Sequence, residues 1–141
     1  MKTRAYPASF DEVVESLVKS IEESGMLLVA DIDVRKSAAK RAISLAGNRI
    51  LEVFRPDYAA RVWGTEIEAG VDIPIRTHVH EDEGGGVAAR CRTPLEVLSR
   101  HGNDELTLFA AELDPVFERI VREPLRAPMR RRCLTPQSGS R

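Results

Sequence analysis

Five basic side chains on two consecutive predicted strands are the residues best suited to chemistry. They are Arg76, His78, His80, Arg90 and Arg92. The first three alternate with apolar residues in the segment Val71–Glu81, and the last two lie in the strand predicted over Val87–Arg92. If Val79 faces the core, its partner comes from the apolar set of the second strand, so the basic side chains share the opposite face. Arginine forks and titratable imidazoles together suit a small anionic ligand.

The same basic face has two other interpretations. It is a solvated sheet surface neutralised by the nearby Glu81 and Asp82, or it is a polar interface in a dimer. Antiparallel sheets often leave one face to water, so both interpretations stay open beside the hypothesis of an anion site.

His78 and His80 also raise the hypothesis of a metal site, because residues two apart on a strand project from one face. A third ligand is required, and Cys91 on the neighbouring strand is the natural candidate. Bringing Cys91 beside His78 would place Val79 across from Arg90 and mix the apolar and polar faces. We therefore expect Cys91 in the core and predict no metal ligand. A metal-binding protein or enzyme that uses the His78/His80 face is kept as an alternative.

Two other motifs have structural explanations. Asp31 and Asp33 share a strand face, and paired carboxylates suit acid–base catalysis or a hard cation. Asp33 directly precedes a predicted helix, however, where an aspartate commonly caps the first turn. The run Gly84–Gly86 lacks the Gly-Lys-Ser/Thr ending of a phosphate loop and precedes a strand, so it predicts a hairpin. The sequence therefore predicts no catalytic residue and no cofactor.

The elements that position these residues follow from hydrophobic periodicity. A capping box at Ser9–Glu12 starts a helix whose apolar stripe runs from Phe10 to Ile21, and Gly25 closes it. The next segment, Met26–Ile32, is apolar on both alternating faces, which is typical of a strand inside a sheet. The next predicted elements are a helix from Asp33 to Leu45 ended by Gly47, a strand over Arg49–Arg55 and a helix from Asp57 to about Gly64. They are followed by strands over Val71–Glu81 and Val87–Arg92 and a short helix over Pro94–Leu98. A final helix begins at Asp104, and Pro115 is expected either to kink it or to start a new segment.

The order of these elements, α-β-α-β-α-β-β-α, decides the predicted fold class. It lacks the strict βαβ repetition of a doubly wound fold. We predict an α+β domain, a two-layer sandwich of helices on a mostly antiparallel sheet of about four strands. Phe54 and Trp63 are expected in its core.

Composition and charge predict one domain followed by a tail. The 141 residues are 43% hydrophobic and 30% charged, with a formal net charge of −1. Residues 125–141 contain five arginines and no acid, so residues 1–124 carry a charge of −6. We expect residues 1–124 to form a single α/β domain and residues 125–141 to form a basic, disordered tail. Weak nucleic-acid association through this tail is a further alternative. The net charge of the whole chain is near zero, however, and predicts no general attraction to nucleic acid.

The sequence predicts a cytoplasmic location. It contains neither the apolar stretch of a secretory signal near its N-terminus nor the run of about 20 apolar residues that crosses a bilayer. Two cysteines are too few for a disulfide framework, which fits a reducing compartment. No membrane partner is expected.

Several short motifs in fixed order resemble the family known as domain of unknown function 302. They are Phe10-Asp11-Glu12-Val13, Gly25, Asp31-Ile32-Asp33-Val34, Arg49-Ile50-Leu51-Glu52-Val53, Pro56-x-x-Ala59, Gly70-Val71-x-Ile73-Pro74 and Pro94-x-x-x-Leu98. The resemblance extends from about Ser9 to Val121. It implies a compact α/β domain that forms homodimers, and it implies no established catalytic activity. Members often carry Cys-Asn where this chain has Phe54-Arg55, so any chemistry of that thiol would be missing here.

Together these observations predict a non-catalytic, homodimeric α/β domain that binds a small anionic ligand or a partner protein. The ligand-binding residues predicted for it are Arg76, His78, His80, Arg90 and Arg92.

Overall fold

The computed structural model of the chain describes residues 1–122, and its strands form one antiparallel sheet. The predicted disordered tail and its proposed nucleic-acid contacts lie outside the described residues. The strand order is β1-β5-β4-β3-β2. The strand bounds are β1 Lys2–Tyr6, β2 Leu27–Asp33, β3 Asn48–Phe54, β4 Ile75–Glu81 and β5 Val87–Cys91.

Helices cover one face of this sheet, which confirms the predicted α+β class. Their bounds are α1 Phe10–Glu23, α2 Val34–Ala39, α3 Pro56–Thr65, α4 Pro94–Leu98 and α5 Asp104–Arg122, with two 3₁₀ turns, Ile67–Asp72 and Ser99–His101. The apolar stripes of α1 and α5 are buried in one core with the inward residues of the sheet, such as Leu51 and Val79. We call the face of the sheet that packs on this core the inner face and the other the open face.

The helix α1 has the predicted start and end. Ser9 accepts a hydrogen bond from the Glu12 amide, and the Glu12 carboxylate accepts one from the Ser9 amide in return. The predicted stripe from Phe10 to Ile21 is buried. Gly25 follows with a φ of 73°, a left-handed conformation that costs glycine least.

A strand that the sequence analysis did not predict lies at the N-terminus, so the sheet has five strands and not about four. β1 pairs antiparallel with β5, with Tyr6 opposite Val87. Its first four residues are exposed and polar or small, so it has no hydrophobic alternation to reveal it. Tyr6 alone is buried, and its hydroxyl donates to the Val121 carbonyl at 2.6 Å. The element order accordingly begins with a strand.

The position in the sheet predicted for the strand Met26–Ile32 was wrong. The apolar segment at β2 was expected inside the sheet, but β2 is an edge strand that pairs with β3 alone. Leu27, Val29 and Ile32 are 50%, 49% and 43% exposed. Apolar residues on both faces therefore reflect an uncovered apolar surface here, and not burial on two sides.

One predicted helix was too long, and one of two alternatives left open for another helix was wrong. The helix α2 is capped by Asp33, which accepts from the Lys36 amide at 2.9 Å, as predicted. It ends at Ala39, and not at Leu45, because Ala42 has a φ of 57° and breaks the helical path. α5 is one continuous helix that contains Pro115, so no new segment starts there.

The predicted strand Val71–Glu81 begins four residues late, at Ile75. The preceding residues form the 3₁₀ turn and the cis peptide bond Ile73–Pro74, and Val71 is 84% exposed. Trp63, expected in the core, is exposed and packs against Gly70 of this turn. The turn carries the chain across the end of the sheet, which takes Val71 out of the strand alternation.

Candidate functional site

The register of β4 and β5 brings the predicted basic residues together on the open face. Val79 lies opposite Ala89 and Thr77 opposite Cys91 on the inner face, as predicted. His78 therefore lies opposite Arg90 on the open face, and Arg76 and His80 flank it along β4. The alternation that placed Val79 in the core was sufficient to predict this arrangement.

A cleft of about 490 Å³ opens where the basic part of the open face meets the 3₁₀ turn Ile67–Asp72. Four of the five predicted residues line it, namely Arg76, His78, Arg90 and Arg92. His80 does not line it, although its ring centroid lies 5.2 Å from that of His78. Clefts of this volume are typical of sites for small molecules.

The positive charge of the cleft is only partly neutralised. The Arg76 guanidinium pairs with Glu52 of β3, with 2.8 Å between Nε and Oε1. No ion pair within residues 1–122 includes Arg90 or Arg92. Asp72, the acidic residue of the cleft wall, is paired with His101 at 2.7 Å. The two unpaired arginines leave the cleft with an excess of positive charge.

His78 is held neutral at the centre of this surface. Its Nε2–H donates to Asn48 Oδ1 at 2.9 Å, which fixes the ring against β3. Partial burial lowers the pKa of His78 below its usual value, and the charges of His80 and Arg90 lower it further. The ring therefore contributes a hydrogen-bonding group and not a charge near neutral pH.

Sequence reasoning missed three residues that support the cleft. Asn48 and Glu52 on β3 hold His78 and Arg76, and Asp72 forms part of the wall. The alternation of β3 puts Asn48 and Glu52 on one face, but the pairing of β3 with β4 is needed to bring them beside the basic residues. The signal for the exit of Asp72 from the predicted strand was Pro74, because a proline within such a run is typical of the start of a strand and not of its interior.

The metal hypothesis has the two imidazoles but lacks a third ligand in the described part of the chain. Within residues 1–122, no three histidine, cysteine, aspartate or glutamate side chains converge as a metal site. Cys91 is buried on the inner face, where its thiol donates to the Arg92 carbonyl at 3.1 Å. Burial raises the pKa of Cys91, which keeps it a thiol.

The remaining candidate motifs have structural roles. Arg49 forms ion pairs with both Asp31, at 2.7 Å, and Asp33, at 3.5 Å, so both carboxylates are neutralised by this arginine. Asp82 Oδ1 accepts hydrogen bonds from the amides of Gly84 and Gly86, which closes the predicted β4–β5 hairpin.

A second cavity, of about 30 Å³, lies between α3 and the ends of β3 and β4. Phe54 and Arg55 line it, at the positions where the resemblance places Cys-Asn. Arg55 closes its mouth by stacking over the Tyr58 ring, with 4.3 Å between the guanidinium carbon and the ring centroid. This volume is about that of one water molecule, so the cavity is a packing gap.

The helices of residues 1–122 include none with the length and apolar character needed to cross a bilayer.

Comparisons with known proteins give one family and one fold. The sequence profile described as "Domain of unknown function DUF302" matches residues 2–123. The crystal structure of the uncharacterized conserved protein DUF302 from Bacillus stearothermophilus is similar, with a TM-score of 0.78 and 20% identity over 85% of this chain and 94% of that chain. At that identity the likeness shows the fold alone. No curated protein matches this chain.

Proposed function

This chain belongs to the DUF302 family, and from that premise we propose that it is a non-catalytic domain that binds a small anionic ligand in the basic cleft. The observation that carries the proposal is the pair Arg90 and Arg92, which line the cleft and join no ion pair within residues 1–122. Guanidinium groups bind carboxylates and phosphates through two parallel hydrogen bonds, so two unpaired arginines favour an oxyanion.

The walls of the cleft indicate that the ligand also has an apolar part. Val71, Ile73 and Val97 line it beside the arginines. A small carboxylate or phosphate ester with a hydrocarbon portion would use both kinds of wall. The volume of the cleft, about 490 Å³, is within the range of small-molecule sites.

The residue types in the cleft favour binding over nucleophilic catalysis. Among the described residues that line it, none is a serine, threonine or cysteine. His78, the titratable ring of the cleft, donates to the Asn48 amide oxygen and has no nucleophile beside it. Covalent catalysis needs a nucleophile next to a base, and this arrangement offers only the base.

The experiment is a thermal-shift screen of small carboxylates and phosphates against the wild-type chain and Arg90→Ala. We expect anions to raise the Tm of the wild type and the affinity of the variant to fall about tenfold, because one charge-assisted contact is lost. Arg119→Ala is the matched control, since Arg119 is exposed on α5, on the side of the inner face. An equal loss in both variants, or no stabilising anion at all, would contradict the proposal.

A second proposal concerns the partner: the domain forms a homodimer through the open edge of β2. β2 pairs with β3 on one side only, so the backbone groups of its other edge have no strand partner within residues 1–122. Leu27, Val29 and Ile32 form an exposed apolar strip on the same strand. Such edges recruit a further strand, and two copies of β2 related by a twofold axis offer each other the same residues.

Charge favours β2 over the basic part of the open face as the surface between copies. The carboxylates of Asp31 and Asp33 are neutralised by Arg49, so two β2 strands do not repel each other. The β4–β5 half of the open face would place arginines and histidines against their own copies.

Sedimentation of the wild type and of Ile32→Lys tests this interface. We expect a dimer for the wild type and a monomer for the variant, because the introduced ammonium would be buried against its symmetry mate. Leu108→Lys is the control, since Leu108 is also an exposed apolar residue and lies on α5, away from β2. A monomeric wild type, or a dimer that survives Ile32→Lys, would contradict the proposal.

A further inference from the structure

We propose that the anion site takes up a proton on His78 when it fills, so that the ligand binds more tightly as the pH falls. This inference rests on the proposed anion-binding function and adds its regulation. The imidazole is half-buried on the open face and is flanked by groups of β3, β4 and β5.

The groups that face His78 are mainly cationic or neutral. From β3 they are Asn48 and Glu52, from β4 Arg76 and His80, and from β5 Arg90. The same cleft is lined by Arg92, Asp72 and Met1, whose ammonium pairs with Glu96. Both carboxylates in this set already have a cationic or titratable partner, Glu52 in Arg76 and Asp72 in His101. Neither carboxylate is therefore left to stabilise a charged His78.

The hydrogen bond to Asn48 decides which nitrogen takes the proton. Because Nε2–H donates to Asn48 Oδ1, the neutral ring carries its lone pair on Nδ1. Protonation at Nδ1 keeps the Asn48 bond and adds a donor. The ring can therefore gain a positive charge without changing its orientation.

A bound oxyanion reverses the electrostatic balance. Burial together with the charges of His80 and Arg90 holds the pKa of His78 below its usual value in the folded chain. An anion held by Arg90 and Arg92 adds the opposite charge at short range, and this raises the pKa of the ring. Between the two pKa values each bound anion brings a proton with it, and affinity rises by up to about tenfold for each unit that the pH falls.

Sulfate is the appropriate probe, since its charge stays constant across the neutral range and any pH dependence must come from the protein. The chain has three histidines, so the imidazole C–H signals in a proton NMR titration are few and are assigned by single substitutions. We expect the pKa of His78 to lie low without sulfate and to rise when sulfate saturates the site. The sulfate affinity should increase as the pH falls through the same window.

Two substitutions on the same strand complete the test. His78→Gln keeps an amide donor for Asn48 but cannot titrate, so it should bind sulfate with an affinity that no longer depends on pH. His80→Gln removes a neighbouring charge but leaves His78, so proton uptake should persist and its window should move to higher pH. Sulfate binding that is independent of pH in the wild type would overturn this inference alone. A complete absence of binding by sulfate and by the organic anions of the screen would overturn the proposed function as well.

Discussion

The two faces of β3 and β4 differ sharply although they are built from alternate residues of the same strands. On the inner face, Leu51 and Val79 are fully buried beneath α1 and α5. On the open face, Glu52, Arg76 and His78 alternate with them and are partly or largely exposed. The inner face is held together by apolar contact, and the open face by directional pairs such as His78–Asn48 and Arg76–Glu52.

This difference separates stability from the proposed function. The free energy of folding comes mainly from apolar surface removed from water, which the inner face supplies. The open face contributes little to it, so its residues are available for a ligand and for a partner copy. Substitutions on the inner face should therefore lower the free energy of unfolding, and substitutions on the open face should change it less.

The largest difference is expected between Leu51 and its neighbour Ile50. Leu51→Ala should lower the free energy of unfolding by about 2–5 kcal/mol, because it leaves a cavity in a closed core. Ile50→Ala, on the half-buried open face, should cost less than half as much. Urea unfolding of both variants measures this. Equal losses would contradict the different contributions of the two faces to stability. A loss for Ile50→Ala that grows with protein concentration would show that a second copy covers the open face.

A smaller effect is expected at the edge of the inner face, where Tyr6 joins β1 to the end of α5. Tyr6→Phe removes the hydroxyl that donates to the Val121 carbonyl at 2.6 Å. The free energy of unfolding should fall by about 1 kcal/mol, because a buried carbonyl loses its donor. The urea midpoint measures the change, and no shift would mean that water satisfies this carbonyl.

On the open face, His78 should make stability depend on pH. Its pKa is lowered in the folded state by burial and by the charges of His80 and Arg90. Below its usual value of about 6.5, the unfolded chain takes up this proton first, so the free energy of unfolding falls as the pH falls. His78→Gln should show a shallower decline between about pH 7 and about pH 5 in urea titrations. Identical declines in both proteins would contradict the assigned environment of the ring.

The smallest effect is expected for Arg76, which pairs with Glu52 on the open face. Arg76→Ala should change the free energy of unfolding by less than about 1 kcal/mol, because exposed ion pairs are weak. The same variant should weaken anion binding in the thermal-shift screen, because Arg76 lines the cleft. A large loss of stability without any loss of binding would reverse the roles given to the two faces.

Much of the arrangement was predictable because strand alternation is a local property. The capping box at Ser9, the hairpin at Gly84–Gly86 and the shared face of His78 and Arg90 all depend on residues close in sequence. The placement of Cys91 in the core followed from the same register. Each of these predictions was confirmed.

The errors concern features that depend on distant parts of the chain. β1 is exposed and polar or small at four of its five positions and becomes a strand because β5 offers it an edge. β2 has the apolar pattern of an interior strand, and only the strand order places it at the edge. Val71 is exposed because the turn before β4 leaves the sheet, and Trp63 is exposed on α3, where it packs against Gly70 of that turn.

The sequence by itself determined the α+β class, the start of α1 and the residues that share each face of the β4–β5 hairpin, since periodicity and short-range hydrogen bonds act within a few residues. Only the tertiary structure decided which strands lie at the edges, that Glu52 neutralises Arg76 while an arginine of β3 neutralises the aspartates of β2, and that a cleft forms beside Arg90 and Arg92. Those outcomes depend on the pairing of β3 with β2 and β4 and on the path of the turn across the sheet. Such contacts are set by the packing of the whole domain and leave no periodic trace in the sequence.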